Sequence, residues 1–220
     1  MKNLLGFLSR LATITISGIL LIVIFQIGQY KPDWNTAIAS SVLLDHGSGV
    51  VIDEVEMGFS CVVVVATAKH VMGATEEPET IYEDYIEIDR KNHPNADMSV
   101  VWFSKKEPCN KNRYIQTEVS WNIPQIASPI YSVSYPAGQF YMGVGYMGYI
   151  NFNPDEEVVA WRLERGWDEV YGISLWAAPG SSGSPIFQEG KLVGLTVGGW
   201  GTEGSEIALM IPIHFLEDLY

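Results

Sequence analysis

Between Trp34 and Ile211 no run of residues sustains a helical period, whereas short stretches rich in Val, Ile, Thr, Tyr and Trp recur between Gly, Pro, Asn and Asp. Alternating or continuous apolar runs of four to eight residues bounded by turn formers read as strands, and roughly a dozen of them in one chain read as an all-β protein. The spacing predicts strands over 37–44, 48–53, 61–67, 81–88 and 98–104. After a polar break at 105–113 it predicts further strands over 114–119, 130–135, 140–150, 158–163, 172–176, 185–188, 192–197 and 207–211. So many short strands suit two small antiparallel barrels or a sandwich. Phe215, Leu216 and Leu219 fall at helical spacing, which predicts one closing helix over 212–220.

Composition narrows the class. With 47% hydrophobic and 12% aromatic residues the chain has material for a core. Its 13 basic against 26 acidic side chains give a formal charge of −13, and no basic cluster exists to replace phosphate counterions, so a nucleic-acid partner is excluded. Cys61 and Cys109 are too few for a disulfide scaffold or a cysteine zinc site. They allow one bridge, or two separate thiols.

Residues 11–28 carry no charge, and as a helix would measure about 27 Å, just enough to span a bilayer. Lys2 and Arg10 precede the run without an acid, which places the amino terminus on the cytoplasmic side and the remainder across the membrane. The expected organisation is therefore residues 1–33 as cytoplasmic terminus and signal anchor, followed by a folded body over 34–220. The main alternative is a secreted protein whose signal peptide is cleaved, with Ala37-Ile38-Ala39 as a cleavage-like site some ten residues past the apolar run, and a buried core helix is the third reading.

The chemistry concentrates at two places. Ala178-Pro179-Gly180-Ser181-Ser182-Gly183-Ser184-Pro185 surrounds serine with glycine, which permits a tight turn whose amides converge while one hydroxyl stays exposed. A serine hydroxyl becomes a nucleophile when an imidazole takes its proton and a carboxylate holds that imidazole. Of His46, His70, His93 and His214, only His70 leaves a buried-looking strand in a small-residue turn. Ala66-Thr67-Ala68-Lys69-His70-Val71 resembles the Thr-Ala-Ala-His-Val motif of the trypsin-like serine peptidases, and Gly180-Ser181-Ser182-Gly183-Ser184-Pro185 is similar to their Gly-Asn/Asp-Ser-Gly-Gly/Ser-Pro motif. The ending Ser-Pro resembles the glutamyl-endopeptidase branch and, more loosely, the high-temperature-requirement proteases. Ser132-Val133-Ser134-Tyr135-Pro136-Ala137-Gly138 looks like the Gly-Tyr-Pro-x-Gly turn of the second barrel, with Ser134 in place of Gly.

The resemblance covers about residues 37–220 and implies two six-stranded antiparallel barrels, over about 34–108 and 109–220, with a C-terminal helix. It implies an acyl-enzyme mechanism with Ser182 as nucleophile, His70 as general base and Asp97, which opens the apolar strand 98–104, as the orienting acid. Asp84 and Asp89 are weaker candidates for that acid. The amides of Gly180 and Ser182 would form the oxyanion hole. Two departures stand out: Ser181 replaces the usual Asn or Asp, and Pro179 precedes the oxyanion glycine. The specificity pocket would be lined by Trp176 and Ala177 on one wall and by Thr196, Val197, Gly198 and Gly199 on the other. With no Asp at its base and Thr196 where glutamyl endopeptidases carry His, an uncharged pocket for small or medium apolar side chains is expected.

The expected partner is a polypeptide substrate, with no cofactor and no metal ion. A catalytically inactive binding module is the main alternative. A subunit of a quality-control assembly, commonly a trimer in that branch, is the third. The remaining histidines read as structural: His46 beside Asp45 and Gly47 as a hairpin turn, His93 as a surface turn, and His214 as part of the closing helix. Glu76, Glu77, Glu79, Glu83, Asp84, Glu87 and Asp89 read as a solvated acidic face, because the spacing of a dedicated calcium loop is missing. The run 140–149 reads as a bulged barrel strand.

Overall fold

Four consecutive valines, Val62 to Val65, are flanked on both sides by strand-forming sequence, and such a run is most stable with both its faces covered. It becomes β3 (Ser60–Thr67), buried along nearly its whole length in the middle of a sheet. The computed structural model describes residues 30–73, 80–81, 85–109, 116–122, 124–148, 169–200 and 206–219. Around β3 lie β1 (Ser41–Leu44), β2 (Gly47–Met57), β4 (Thr80–Ile81), β5 (Tyr85–Asn92) and β6 (Ser99–Lys105), in the order β1-β2-β3-β6-β5-β4. All these pairs are antiparallel. Asp45 and His46 form the turn between β1 and β2, as the sequence predicts.

A second sheet is built from β7 (Pro129–Ser134), β8 (Tyr141–Tyr146), β9 (Tyr171–Ile173), β10 (Pro185–Gln188), β11 (Lys191–Gly199) and β12 (Ala208–Pro212), ordered β8-β7-β10-β11-β12-β9. Its two outer strands meet through a bridge between Met147 and Ile173 and through the Gly148 N–H donating to the Gly172 carbonyl at 2.8 Å, so the sheet curls onto itself. Ile130, Ile173, Ile186, Val193 and Met210 fill its interior. The body is thus all-β, with two curled six-stranded sheets. Cys61 and Cys109 are joined as a disulfide, tying the start of β3 to the segment that follows β6.

Several expectations change on the structure. Residues 37–40 are not strand but the end of helix α1 (Trp34–Ser40), which Asp33 caps by accepting the Thr36 N–H (3.2 Å) and hydroxyl (2.7 Å). The closing helix is a 3₁₀ segment over Ile213–Asp218, because the residues that must be buried, Ile213, Leu216 and Leu219, recur every three positions. The strand expected at 114–119 reduces, among the described residues, to one parallel bridge between Val119 and Leu192. No bulge interrupts β8, which pairs with β7 in unbroken register because Gly143 and Gly145 alternate inward. The expected strand 172–176 ends at Ile173 in β9. The apolar run 11–28 and the expected strand 158–163 lie outside the described residues. Among the described residues no helix is long and apolar enough to cross a membrane.

Candidate active site

At the end of β3 the chain passes through Thr67 and Ala68 into the single-turn helix α2 (Lys69–Met72). Val71 and Met72 are buried, which leaves His70 on the opposite side with its side chain 40% exposed. Asp97 lies in the loop between β5 and β6 and is only 3% exposed. Its carboxylate receives two hydrogen bonds from one residue: the His70 N–H donates to Oδ1 at 3.0 Å, and His70 Nδ1 meets Oδ2 at 2.7 Å. A carboxylate accepts, so Nδ1 carries a proton, and in the neutral ring Nε2 then holds the lone pair a general base requires. The backbone bond fixes the acid against the same residue whose ring it orients. Of the rival acids, Asp89 accepts the neighbouring Arg90 N–H at 2.8 Å on the surface, and Asp84 lies outside the described residues.

The serine turn is organised differently. Residues 178–184 hold themselves with backbone bonds, Ser181 N–H to Ala178 O at 2.9 Å and Ser184 N–H to Ser181 O at 3.1 Å. Ser181, standing where the resembled motif has Asn or Asp, uses its hydroxyl oxygen to accept the Ala178 N–H at 3.2 Å. The Pro179 carbonyl accepts the Ala137 N–H at 2.8 Å. Since C=O and N–H point oppositely across a trans peptide, that bond turns the Gly180 N–H the other way. Among the described residues, neither the Gly180 N–H nor the Ser182 N–H donates to a protein acceptor. Proline therefore braces the loop, through its carbonyl rather than its ring.

Ser48, at the start of β2, joins the two halves and was not recognised from the sequence. Fully buried, it donates through Oγ to the Gly180 carbonyl (2.8 Å), accepts the Tyr135 N–H on the same oxygen (3.1 Å), and donates its own N–H to the Ser182 carbonyl (2.8 Å). The Thr67 hydroxyl, three residues before His70, donates to the Ser48 carbonyl at 2.7 Å. Gly183, at φ +83°, is required here: a Cβ would overlap the Ser48 carbonyl and the Thr67 hydroxyl. Gly47 is equally hemmed in, since a Cβ there would lie 2.7 Å from both the Ser182 carbonyl and Val71. The signal available was only the Gly-Ser-Gly start of a strand, which alone is an ordinary turn. No hydrogen bond joins Ser182 Oγ to His70 Nε2 among the described residues.

Two clefts flank Pro179. One, of about 550 Å³, is walled by Leu43, Leu44, Asp45, His46, Tyr135 and Gly180. The other, of about 640 Å³, is walled by Phe140, Tyr141, Trp176 and Ala178. Of the expected pocket residues, Trp176 thus reaches a cleft and Gly199 is exposed, whereas Ala177 and Val197 are core. Thr196 is buried and serves the turn, its carbonyl accepting the Gly183 N–H at 2.7 Å and its N–H donating to the Ser184 carbonyl at 2.9 Å. His46 sits in its predicted hairpin turn, and His214 in the 3₁₀ segment, 3.4 Å from Glu169. His93, expected at the surface, is buried, because its ring is covered by the closing segment. Of the acidic stretch, Glu87 pairs with Arg90 at 2.7 Å, while Glu76, Glu77, Glu79, Glu83 and Asp84 lie outside the described residues.

A profile of the trypsin-like peptidase domain matches residues 47–195, more than half of the chain. No curated protein matches the chain by sequence. Among solved structures the fold is similar to an HtrA-type protease, AlgW, bound to a tripeptide, at TM-score 0.62 and 14% identity over 85% of this chain and 62% of that one. It is similar to the Rv3671c protease of M. tuberculosis H37Rv in an inactive serine-to-alanine form, at TM-score 0.58 and 13% identity over 84% and 86%. Kallikrein-related peptidase 10 superposes at TM-score 0.58 and 15% identity over 82% and 93%. The chain spans about three fifths of the HtrA-type chains it resembles.

Proposed function

The chain belongs to the trypsin-like peptidase domain family, a family of serine endopeptidases, and we propose that it hydrolyses peptide bonds in polypeptide substrates through an acyl-enzyme formed on Ser182. The observation that carries this reading is the paired hydrogen bonding of His70 to Asp97. In the proposed sequence Ser182 Oγ attacks the scissile carbonyl as His70 Nε2 takes its proton, and the carbonyl oxygen becomes an oxyanion held by the Gly180 and Ser182 N–H groups. Asp97 stabilises the imidazolium. His70 then gives its proton to the departing amine, leaving the acyl-enzyme, and a water deprotonated by the same ring releases the acid. The expected pocket positions Trp176, Ala177 and Thr196 carry no charge, which supports a preference for apolar side chains at the cleaved residue.

A second reading, a binding module that keeps the fold without turnover, is favoured by the missing hydrogen bond between Ser182 and His70. Catalytic hydrogen bonds often tighten only with substrate in place, so this observation weighs less than the ordered His70 and Asp97. A fluorophosphonate probe separates the readings. Labelling of the parent protein that vanishes in both Ser182→Ala and His70→Ala is expected; an unlabelled, folded parent overturns the peptidase reading. The charge-free run 11–28 further supports a membrane-anchored protein with the peptidase domain outside the cytoplasm. A mature chain beginning after residue 28 would replace the anchor by a cleaved signal.

A further inference from the structure

The loop that carries Asp97 is closed at its base by the His93 N–H donating to the Met98 carbonyl at 2.9 Å. His93 itself is only 3% exposed, and each of its polar atoms is engaged. The Asn95 N–H donates to Nδ1 at 3.1 Å, Nε2 lies 3.1 Å from Asp218 Oδ2, and the Lys69 ammonium donates to the carbonyl at 3.2 Å. Because Nδ1 receives a backbone N–H it holds a lone pair, so the ring proton sits on Nε2 and is donated to Asp218. The imidazole thus does what an Asn or Asp side chain does in an Asx turn, accepting the N–H two residues on. The Phe215 ring packs edge-on against it, centroids 5.3 Å apart. Phe215 and Asp218 both belong to the 3₁₀ segment, and Lys91 donates to the carbonyl of Leu219, the residue that follows it, at 3.5 Å.

We infer that His93 is a positioning residue for the reaction proposed above: its ring shapes the loop that presents Asp97 to His70, and its bond to Asp218 couples that loop to the closing segment of the fold. Lys69 completes the frame, since the residue preceding His70 is bound to the His93 carbonyl. One buried residue thus bonds both to the loop that carries the acid and to the side chain of the base's neighbour. What Asp97 is for rests on the peptidase reading; the arrangement that holds it does not.

His93→Asn keeps the turn and loses the tie, whereas His93→Ala loses both. Two readings are taken on the full chain: steady-state peptide hydrolysis, and the low-field proton resonance of His70 Nδ1–H bonded to Asp97. His93→Ala is expected to lower kcat on the order of 10- to 100-fold at unchanged KM and to weaken the resonance, with His93→Asn between it and the parent. Asp218, whose side chain is 74% exposed, tests the tie without emptying the core. Asp218→Ala is expected to lower kcat about threefold to tenfold, and Asp218→Asn, which keeps an acceptor, to restore it to within about twofold. A folded Asp218→Ala protein with parental kcat and resonance overturns the inference, as does a set of variants that lose only thermal stability. If the parent hydrolyses nothing, the peptidase reading fails, yet the resonance still reports whether His93 and Asp218 govern the His70 bond to Asp97.

Discussion

The two curled sheets contribute to the site by opposite means. The first delivers a side chain to a side chain: His70 meets Asp97 over 2.7 Å, and both residues sit on segments tied directly to the central strands β3 and β6. The second delivers a backbone shape, in which the turn around Ser182 is fixed by carbonyls that other segments hold, Pro179 by Ala137 and Gly180 by Ser48. A pair of side chains fails at one atom, whereas a backbone cradle yields by degrees. That contrast sets the order of the expected losses.

Asp97→Asn strikes the side-chain half. The asparagine amide would oppose the Nδ1 proton and favour the wrong tautomer, so kcat is expected to fall on the order of 10⁴-fold with folding unchanged, measured by steady-state hydrolysis beside circular dichroism. Retention of more than about a tenth of the activity would mean that Asp97 is not the orienting acid. Gly183→Ala strikes the backbone half, where a methyl group has no room beside the Ser48 carbonyl and φ is +83°. Strain and overpacking together are expected to cost about 2–5 kcal/mol in urea unfolding.

Ser48→Ala separates the halves more finely. It removes the hydroxyl bond to the Gly180 carbonyl and leaves the Tyr135 N–H without its acceptor, but keeps the Ser48 N–H on Ser182. A loss of about 1–3 kcal/mol of stability is expected. Looser oxyanion donors should also lower kcat about tenfold, with Thr67→Val, one bond further away, milder in both. If Ser48→Ala loses stability and keeps full kcat, the cradle is structural rather than a support of the oxyanion donors.

The same contrast explains what could be read from the chain. The contact between His70 and Asp97 was legible because each stands in a local pattern, a small-residue turn after a valine strand and an acid opening an apolar strand, and the serine among glycines was legible as a tight turn. Ser48 was not, because its role consists of bonds to Gly180 and Tyr135, residues more than 80 positions away. His93 was misread for a related reason. Asn-His-Pro-Asn is surface-turn sequence, and what buries it is the closing segment more than 120 residues on. The strands were largely legible through their valines and their turn residues, and two of the errors have local causes: Asp33 capping Thr36 turned 37–40 into helix, and a burial period of three made the closing segment 3₁₀.

Helix α1 provides the smallest effect and a control for both halves; its Trp34 ring meets Tyr131 of β7 edge-on at 5.3 Å. Hydrogen bonds from the Thr36 side chain and then its N–H hold the Asp33 carboxyl below its ordinary value. A carboxyl whose folded pKa is depressed adds stability above its unfolded value, near pH 4, and loses it as pH falls through the folded value. Asp33→Ala is therefore expected to cost about 0.5–1 kcal/mol at neutral pH, a deficit that fades in acid as the parent's own cap is protonated. Because, among the described residues, no hydrogen bond runs from the helix to His70 or to the Ser182 turn, kcat should stay at the parental value. A fall in kcat as large as that of Ser48→Ala would show that the second sheet, unlike the first, transmits strain from its outer face into the turn.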